Sequence, residues 1–61
     1  MDKYNLFVEQ KLFEAVIKDL ISRSCKIERA DYALGHILTE ITSEEDVEYF
    51  AKVAICEKAK I

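Results

Sequence analysis

The chain has no proline, no tryptophan and a single glycine in 61 residues. Proline and glycine set the backbone angles of tight turns, so their scarcity argues against a small fold built from many short strands. No uninterrupted apolar run approaches the roughly 18 to 20 residues that a membrane-spanning helix needs. One histidine and two cysteines, Cys25 and Cys56, are the whole stock of imidazole and thiolate metal ligands. They form neither a Cys-x-x-Cys nor a His-x-x-x-His pair, and a closed zinc site needs four ligands. Two thiols allow one bridge at most, too few for a disulfide-dense secreted scaffold. We read both thiols as reduced, in a cytoplasmic protein. The opening Met1-Asp2-Lys3-Tyr4-Asn5 carries mixed charge, and Glu9, Gln10 and Lys11 soon break the apolar residues after it, unlike a signal peptide.

Catalytic patterns are equally scarce. There is no glycine-rich phosphate loop, and Ser22, Ser24 or Ser43 combined with His36 has no local signature of a nucleophile and its base. His36 reads as a solvated residue on the polar side of a helix. The expectation is a protein without enzymatic activity, bound metal or cofactor.

Cations are missing from one long stretch. No Lys or Arg occurs from Ala30 to Ala51, a segment holding Asp31, Glu40, Glu44, Glu45, Asp46 and Glu48. The net charge is −3, with six cations against five acids in residues 1–29 and three against seven in residues 30–61. An acidic surface of this kind repels nucleic acid and attracts basic partners.

Half of the chain is apolar, at 51%, and its spacing reads as helical. Over residues 4–21, Leu6, Phe7, Leu12, Phe13, Val16, Ile17, Leu20 and Ile21 share one arc that spans more than half of a helix circumference. Ser22-Arg23-Ser24-Cys25 interrupts that run, and Ser24 is a candidate cap for a second helix. Ile27, Ala30, Leu34, Ile37, Leu38 and Ile41 make a narrower stripe with Gly35 inside it. Should Gly35 end that helix early, residues 36–42 become a short extended segment. Thr42-x-x-Glu45 and Ser43-x-x-Asp46 both fit a capping box, with the acids in the first turn of a last helix. That helix has an inner stripe of Val47, Phe50, Ala51, Val53 and Ala54. Leu6, Phe13, Leu20, Ile27, Leu34 and Ile41 also recur every seven residues, as in a helical seam.

The fold expected from these patterns is all-α: a single domain, 1–61, of three helices at about 3–23, 26–41 and 43–59. The runner-up is one long helix, 4–41, followed by a C-terminal helix. The wide arc of the first helix points to a helical homodimer with Leu6, Phe13, Val16, Ile17 and Leu20 in its core. The expected function is a small non-enzymatic regulator or adaptor acting by protein–protein contact, such as an inhibitor covering a basic surface of its target. Glu40, Glu44, Glu45, Asp46, Glu48 and Tyr49 are the candidate partner-binding residues, joining steering charge to an aromatic anchor. The alternative is a dimeric nucleic-acid-binding transcriptional regulator using Arg23, Lys26 and Arg29. A helix-turn-helix arrangement would present Glu44, Glu45, Asp46 and Glu48 to phosphate, which argues against that alternative, and against nucleic acid as a partner. The first helix mixes Lys with Asp and Glu on its polar face, unlike a membrane-surface helix.

Overall fold

The computed structural model describes residues 2–60. Six elements follow one another: β1 (Asp2–Phe7), α1 (Gln10–Ser22), β2 (Lys26–Asp31), β3 (His36–Ile41), α2 (Glu44–Val53) and β4 (Ile55–Lys58). The strands form one antiparallel sheet in the order β2-β3-β1-β4. The chain is thus an α+β domain, a split βαβ unit used twice, with the topology called ferredoxin-like. This corrects the all-α expectation in both its three-helix and its long-helix forms. None of the described helices is long and apolar enough to cross a membrane.

Side-chain alternation explains the layers. Successive residues of a strand point to opposite faces of a sheet. Leu6 of β1 and Ile37, Thr39 and Ile41 of β3 are buried on one face. Phe13, Val16 and Leu20 of α1 and Phe50 of α2 complete the same core. Both helices therefore lie on that face. Leu6, Phe13, Val16 and Leu20, expected between two chains, are buried within one, and Ile17 is half-buried against them. The wide apolar arc of α1 needs no second helix because the sheet covers most of it. Its flank stays open, with Leu12 and Ile21 exposed.

Among the described residues Thr39 is the one buried polar side chain, and its Oγ1 donates to the Lys26 carbonyl at 2.7 Å. That bond satisfies the hydroxyl where an unpaired polar group would be costly. The heptad repeat has no structural counterpart. Leu6 and Ile41 lie on strands, Leu34 is in the β2–β3 turn and is 73% exposed, and only Phe13 and Leu20 are helical.

The suspected break at residues 22–25 is present, in another form. Ser24 N–H donates to the Ile21 carbonyl and Cys25 N–H to the Leu20 carbonyl, at 3.0 and 2.9 Å. This pair of bonds is a Schellman motif. Ser24 has a φ of 61°, so it closes α1 and does not cap a second helix. A side chain in the left-handed region costs energy that glycine avoids. Ser24→Gly is expected to stabilise the protein by about 0.5–1 kcal/mol, the roughly 1–2 kcal/mol relief of the left-handed backbone less the extra unfolded-state entropy of glycine, read as a higher urea midpoint with an unchanged slope.

The last helix starts where the capping signal placed it, with Ser43 at the N-cap and Glu44, Glu45 and Asp46 in the first turn. Its side-chain cap bond is absent. The helix ends at Val53, short of the expected residue 59, because Ala54 turns extended and residues 55–58 pair with β1 as an edge strand. Ala51, assigned to the inner stripe, is exposed.

Candidate functional site

The helices leave one face of the sheet uncovered by any described element. The strand registers lay its side chains out as three rows. Asp31, His36, Phe7 and Ile55 form the first, running from β2 through β3 and β1 to β4. Arg29, Leu38, Asn5 and Glu57 form the second. Lys26, Glu40 and Lys3 form the third, which continues to Ala59, whose N–H donates to the Lys3 carbonyl at 2.8 Å. Glu28 sits at a register shift between Ile27 and Arg29, where the extra residue of a bulge is accommodated.

Two apolar side chains stand out on this face. Phe7 is 42% exposed and Ile55 is 62% exposed, on neighbouring strands. Phe7 stacks on the His36 ring, with centroids 5.2 Å apart and planes 29° apart. His36 is fixed from its other side, because Nε2 lies 2.7 Å from Asn5 Oδ1. His36 is therefore not the solvated residue of a helix. It is the polar half of a stacked pair on the two central strands.

The charges around that pair are mixed and partly neutralised. Lys3 and Lys26 both approach Glu28, at 3.9 and 3.8 Å. Hydrogen bonding with Glu40, aided by these two cations against a smaller opposing effect of burial, holds the Glu28 carboxyl below its ordinary range. Three cations, Lys3, Lys26 and Arg29, face four acids, Glu28, Asp31, Glu40 and Glu57.

The expected acidic patch is divided by the fold. Glu40 lies on the uncovered sheet face, whereas Glu44, Glu45, Asp46, Glu48 and Tyr49 belong to α2 on the opposite layer. Asp46 accepts from Arg23 at 2.7 Å, and Tyr49 donates its hydroxyl to Asp19 at 2.7 Å. The Arg23 guanidinium also lies over the Tyr49 ring, 3.9 Å from its centroid. Asp46 and Tyr49 thus tie α2 to the end of α1. Glu44, Glu45 and Glu48 stay exposed, and none of the described residues forms an ion pair with them. The basic cluster is divided too: Arg23 belongs to this helix–helix tie, while Lys26 and Arg29 lie on the uncovered sheet face.

The tie has a pH signature. The hydrogen bond to Asp19, reinforced by burial and by the Asp19 charge, raises the Tyr49 phenol above its ordinary 10.0, with Arg23 opposing. A raised folded-state pKa favours the folded state while the phenol is protonated, and that contribution disappears as pH climbs through the raised value. The Tm is therefore expected to fall as pH passes 10, with a component that is missing in Tyr49→Phe. An identical alkaline slope in that variant would refute the assignment.

Cys25 leads into β2 and Cys56 lies on β4, at opposite edges of the sheet. Three strand spacings separate those edges, about 14 Å, twice the reach of a disulfide. A helical bundle would have placed the two thiols near one end; the sheet separates them. Burial pushes both thiols up in pKa. Among the described residues no group of His, Cys, Asp and Glu converges on a metal position. A second surface feature is an apolar groove of about 330 Å³ between α1 and β2, lined by Phe13, Glu14, Ile17, Lys18 and Ala30. Tyr32, in the β2–β3 turn, packs edge-on against Phe13 with centroids 5.3 Å apart.

The chain matches no protein-family model, no curated protein and no solved structure.

The uncovered face escaped sequence reasoning because its residues are scattered over four segments. The signal that was available is the alternation in Lys3-Tyr4-Asn5-Leu6 and in His36-Ile37-Leu38-Thr39-Glu40-Ile41, once Thr39 is accepted as a core residue.

Proposed function

We propose that this protein is a small non-enzymatic interaction module, a regulator or adaptor, that works by protein–protein contact through the uncovered face of its sheet. The observation that carries this reading is the pair of exposed apolar residues, Phe7 and Ile55, on a face that no described element covers. Apolar side chains grouped on a polar-rimmed surface are the usual mark of a protein interface. The stacked Phe7–His36 pair supplies a rigid aromatic centre, and the surrounding charges supply specificity.

A second reading is favoured by one observation. Aromatic rings on the central strands of an open four-stranded sheet are a platform on which single-stranded RNA bases stack. Lys26 and Arg29 would then meet phosphates. The charge balance opposes it, because nucleic-acid affinity comes largely from unpaired cations, and here acids outnumber cations on the face.

A photo-crosslinking residue separates the readings. It is placed at position 7, and as a control at Ala15, exposed on the outer side of α1. Protein adducts from position 7 that survive nuclease support the proposal. Nuclease-sensitive adducts, weakening steeply with salt, support the second reading. Adducts from position 15 alone overturn both.

A further inference from the structure

We infer that a second copy of this chain occupies the uncovered sheet face, packed sheet to sheet about a two-fold axis parallel to the strands and running between β1 and β3. The inference rests on the reading of that face as the working surface and names its occupant.

The argument is self-complementarity. A two-fold interface opposes a surface to its own image, so a mixed-charge face closes only if rotation brings unlike charges together. Rotation about the stated axis keeps each row in place and exchanges the columns. β2 then lies over β4 of the second copy, and β3 over β1. From the registers, Arg29 meets Glu57 of the second copy, and Lys3 meets Glu40. Phe7 meets His36, extending each stacked pair across the interface, and Leu38 meets Asn5. Each match occurs twice by symmetry. The poorest match is Ile55 over Asp31, at the rim. An axis perpendicular to the strands instead sets Arg29 against Arg29 and Glu57 against Glu57, so the charges select between the two packings. A partner of one charge sign would face like charge somewhere on this surface.

Geometry agrees. Aligned sheets stack about 10 Å apart with a modest relative twist, a gap that Phe7, His36 and Leu38 fill. Four strands at about 4.8 Å and six residues at about 3.3 Å give a face of roughly 400 Å². Counted over both copies this is about 800 Å², below the roughly 1,200 Å² at which stable specific interfaces begin and in the range of weak, transient ones, so the dimer dissociates on dilution. A domain of this size also buries too little surface to be robust alone, and a second copy adds to it.

The test is sedimentation velocity on the full chain from micromolar to millimolar concentration. The wild type is expected to pass from monomer to dimer. Arg29→Glu and Glu57→Arg should each raise the dissociation constant roughly tenfold, the effect of about 1.4 kcal/mol. The double variant, Arg29→Glu with Glu57→Arg, should restore wild-type association. Within one chain the two residues lie on opposite sheet edges, about 14 Å apart, too far to couple directly. Rescue therefore reports contact between chains.

A monomer at every concentration overturns the inference, as does a dimer indifferent to both substitutions. If a monomeric protein still gives protein adducts from position 7, the face is a working surface with a different occupant, and only the second copy is lost. If the chain dimerises without Arg29–Glu57 coupling and position 7 gives no adduct, the reading of the face falls as well.

Discussion

Replacing Phe50 by alanine is expected to remove most of the domain's stability. Phe50 is the only residue of α2 that is completely buried, with an exposure of 0%. It anchors α2 to a core otherwise built by α1, β1 and β3. Removing a buried phenylalanine costs about 3–5 kcal/mol, the sum of lost transfer energy and the cavity left behind. A chain of this length has a total stability on the order of 3–9 kcal/mol. The cost is thus comparable with the whole. The damage also spreads, because Tyr49 packs edge-on against Phe50 with ring centroids 5.0 Å apart, and Arg23 lies over both rings. β4 follows α2 directly, so undocking the helix leaves a four-residue edge strand to hold itself. Urea denaturation followed by circular dichroism checks the prediction. Ile21→Ala is the control, since Ile21 is 64% exposed and its truncation is expected to cost less than about 0.5 kcal/mol. A Phe50→Ala protein that keeps its wild-type midpoint would show that α2 is not held by this side chain.

The same residue shows how much of the fold was legible. Val47, Phe50 and Val53 repeat at a spacing of three, the acids sit in the first turn, and α2 was found at its correct start. The helix expected over 3–23 is present only from Gln10 to Ser22, where Phe13, Val16 and Leu20 keep a helical spacing, and its first part is strand β1. Among the strands only β3 has a counterpart in the sequence, in the alternative of an extended segment over residues 36–42 after Gly35, and the strand patterns are disguised for separate reasons. β3 buries Ile37, Thr39 and Ile41, but Leu38 on the outer face and a threonine on the inner one disguise the alternation. Taken by polarity alone, the segment is closer to a helical stripe. β1 is short, and its Leu6-Phe7-Val8 run joins the apolar arc of α1 without a break. β4 follows α2 with no glycine or proline between them, only Ala54 in an extended conformation. Local propensity over residues 51–60 favours helix, and pairing with β1 overrides it. The candidate surface was hidden for a related reason. Phe7, His36, Arg29 and Glu57 come together only through the order β2-β3-β1-β4, which places the fourth strand next to the first. The Tyr49–Asp19 and Arg23–Asp46 contacts likewise join residues 30 and 23 positions apart.

Gly35 tests the fold through the sign of one substitution. In the middle of a helix, glycine is about 1 kcal/mol worse than alanine, so Gly35→Ala would stabilise a helical protein. Here it is expected to destabilise by about 3 kcal/mol or more. Gly35 closes the β2–β3 turn with a φ of 66°, a left-handed conformation that costs an alanine roughly 1–2 kcal/mol. The turn is built around it: Gly35 N–H donates to the Tyr32 carbonyl at 3.1 Å, and Asp31 Oδ1 accepts from Leu34 N–H at 3.1 Å. A Cβ at this position would run into the carbonyl oxygen of Val8, which is backbone and cannot rotate away. Relief requires the hairpin to move off β1. That movement breaks the 2.7 Å bond from Val8 N–H to the Gly35 carbonyl and leaves a buried donor without a partner, at a further cost of about 1–3 kcal/mol. The effects add because one added methyl group meets them all. The chain keeps its single glycine at the one turn where the hairpin must touch the end of β1. A thermal melt of Gly35→Ala reads the result directly: a lower Tm supports the hairpin, and a higher one would return residues 27–41 to a helix and remove the sheet face on which the proposed dimer depends.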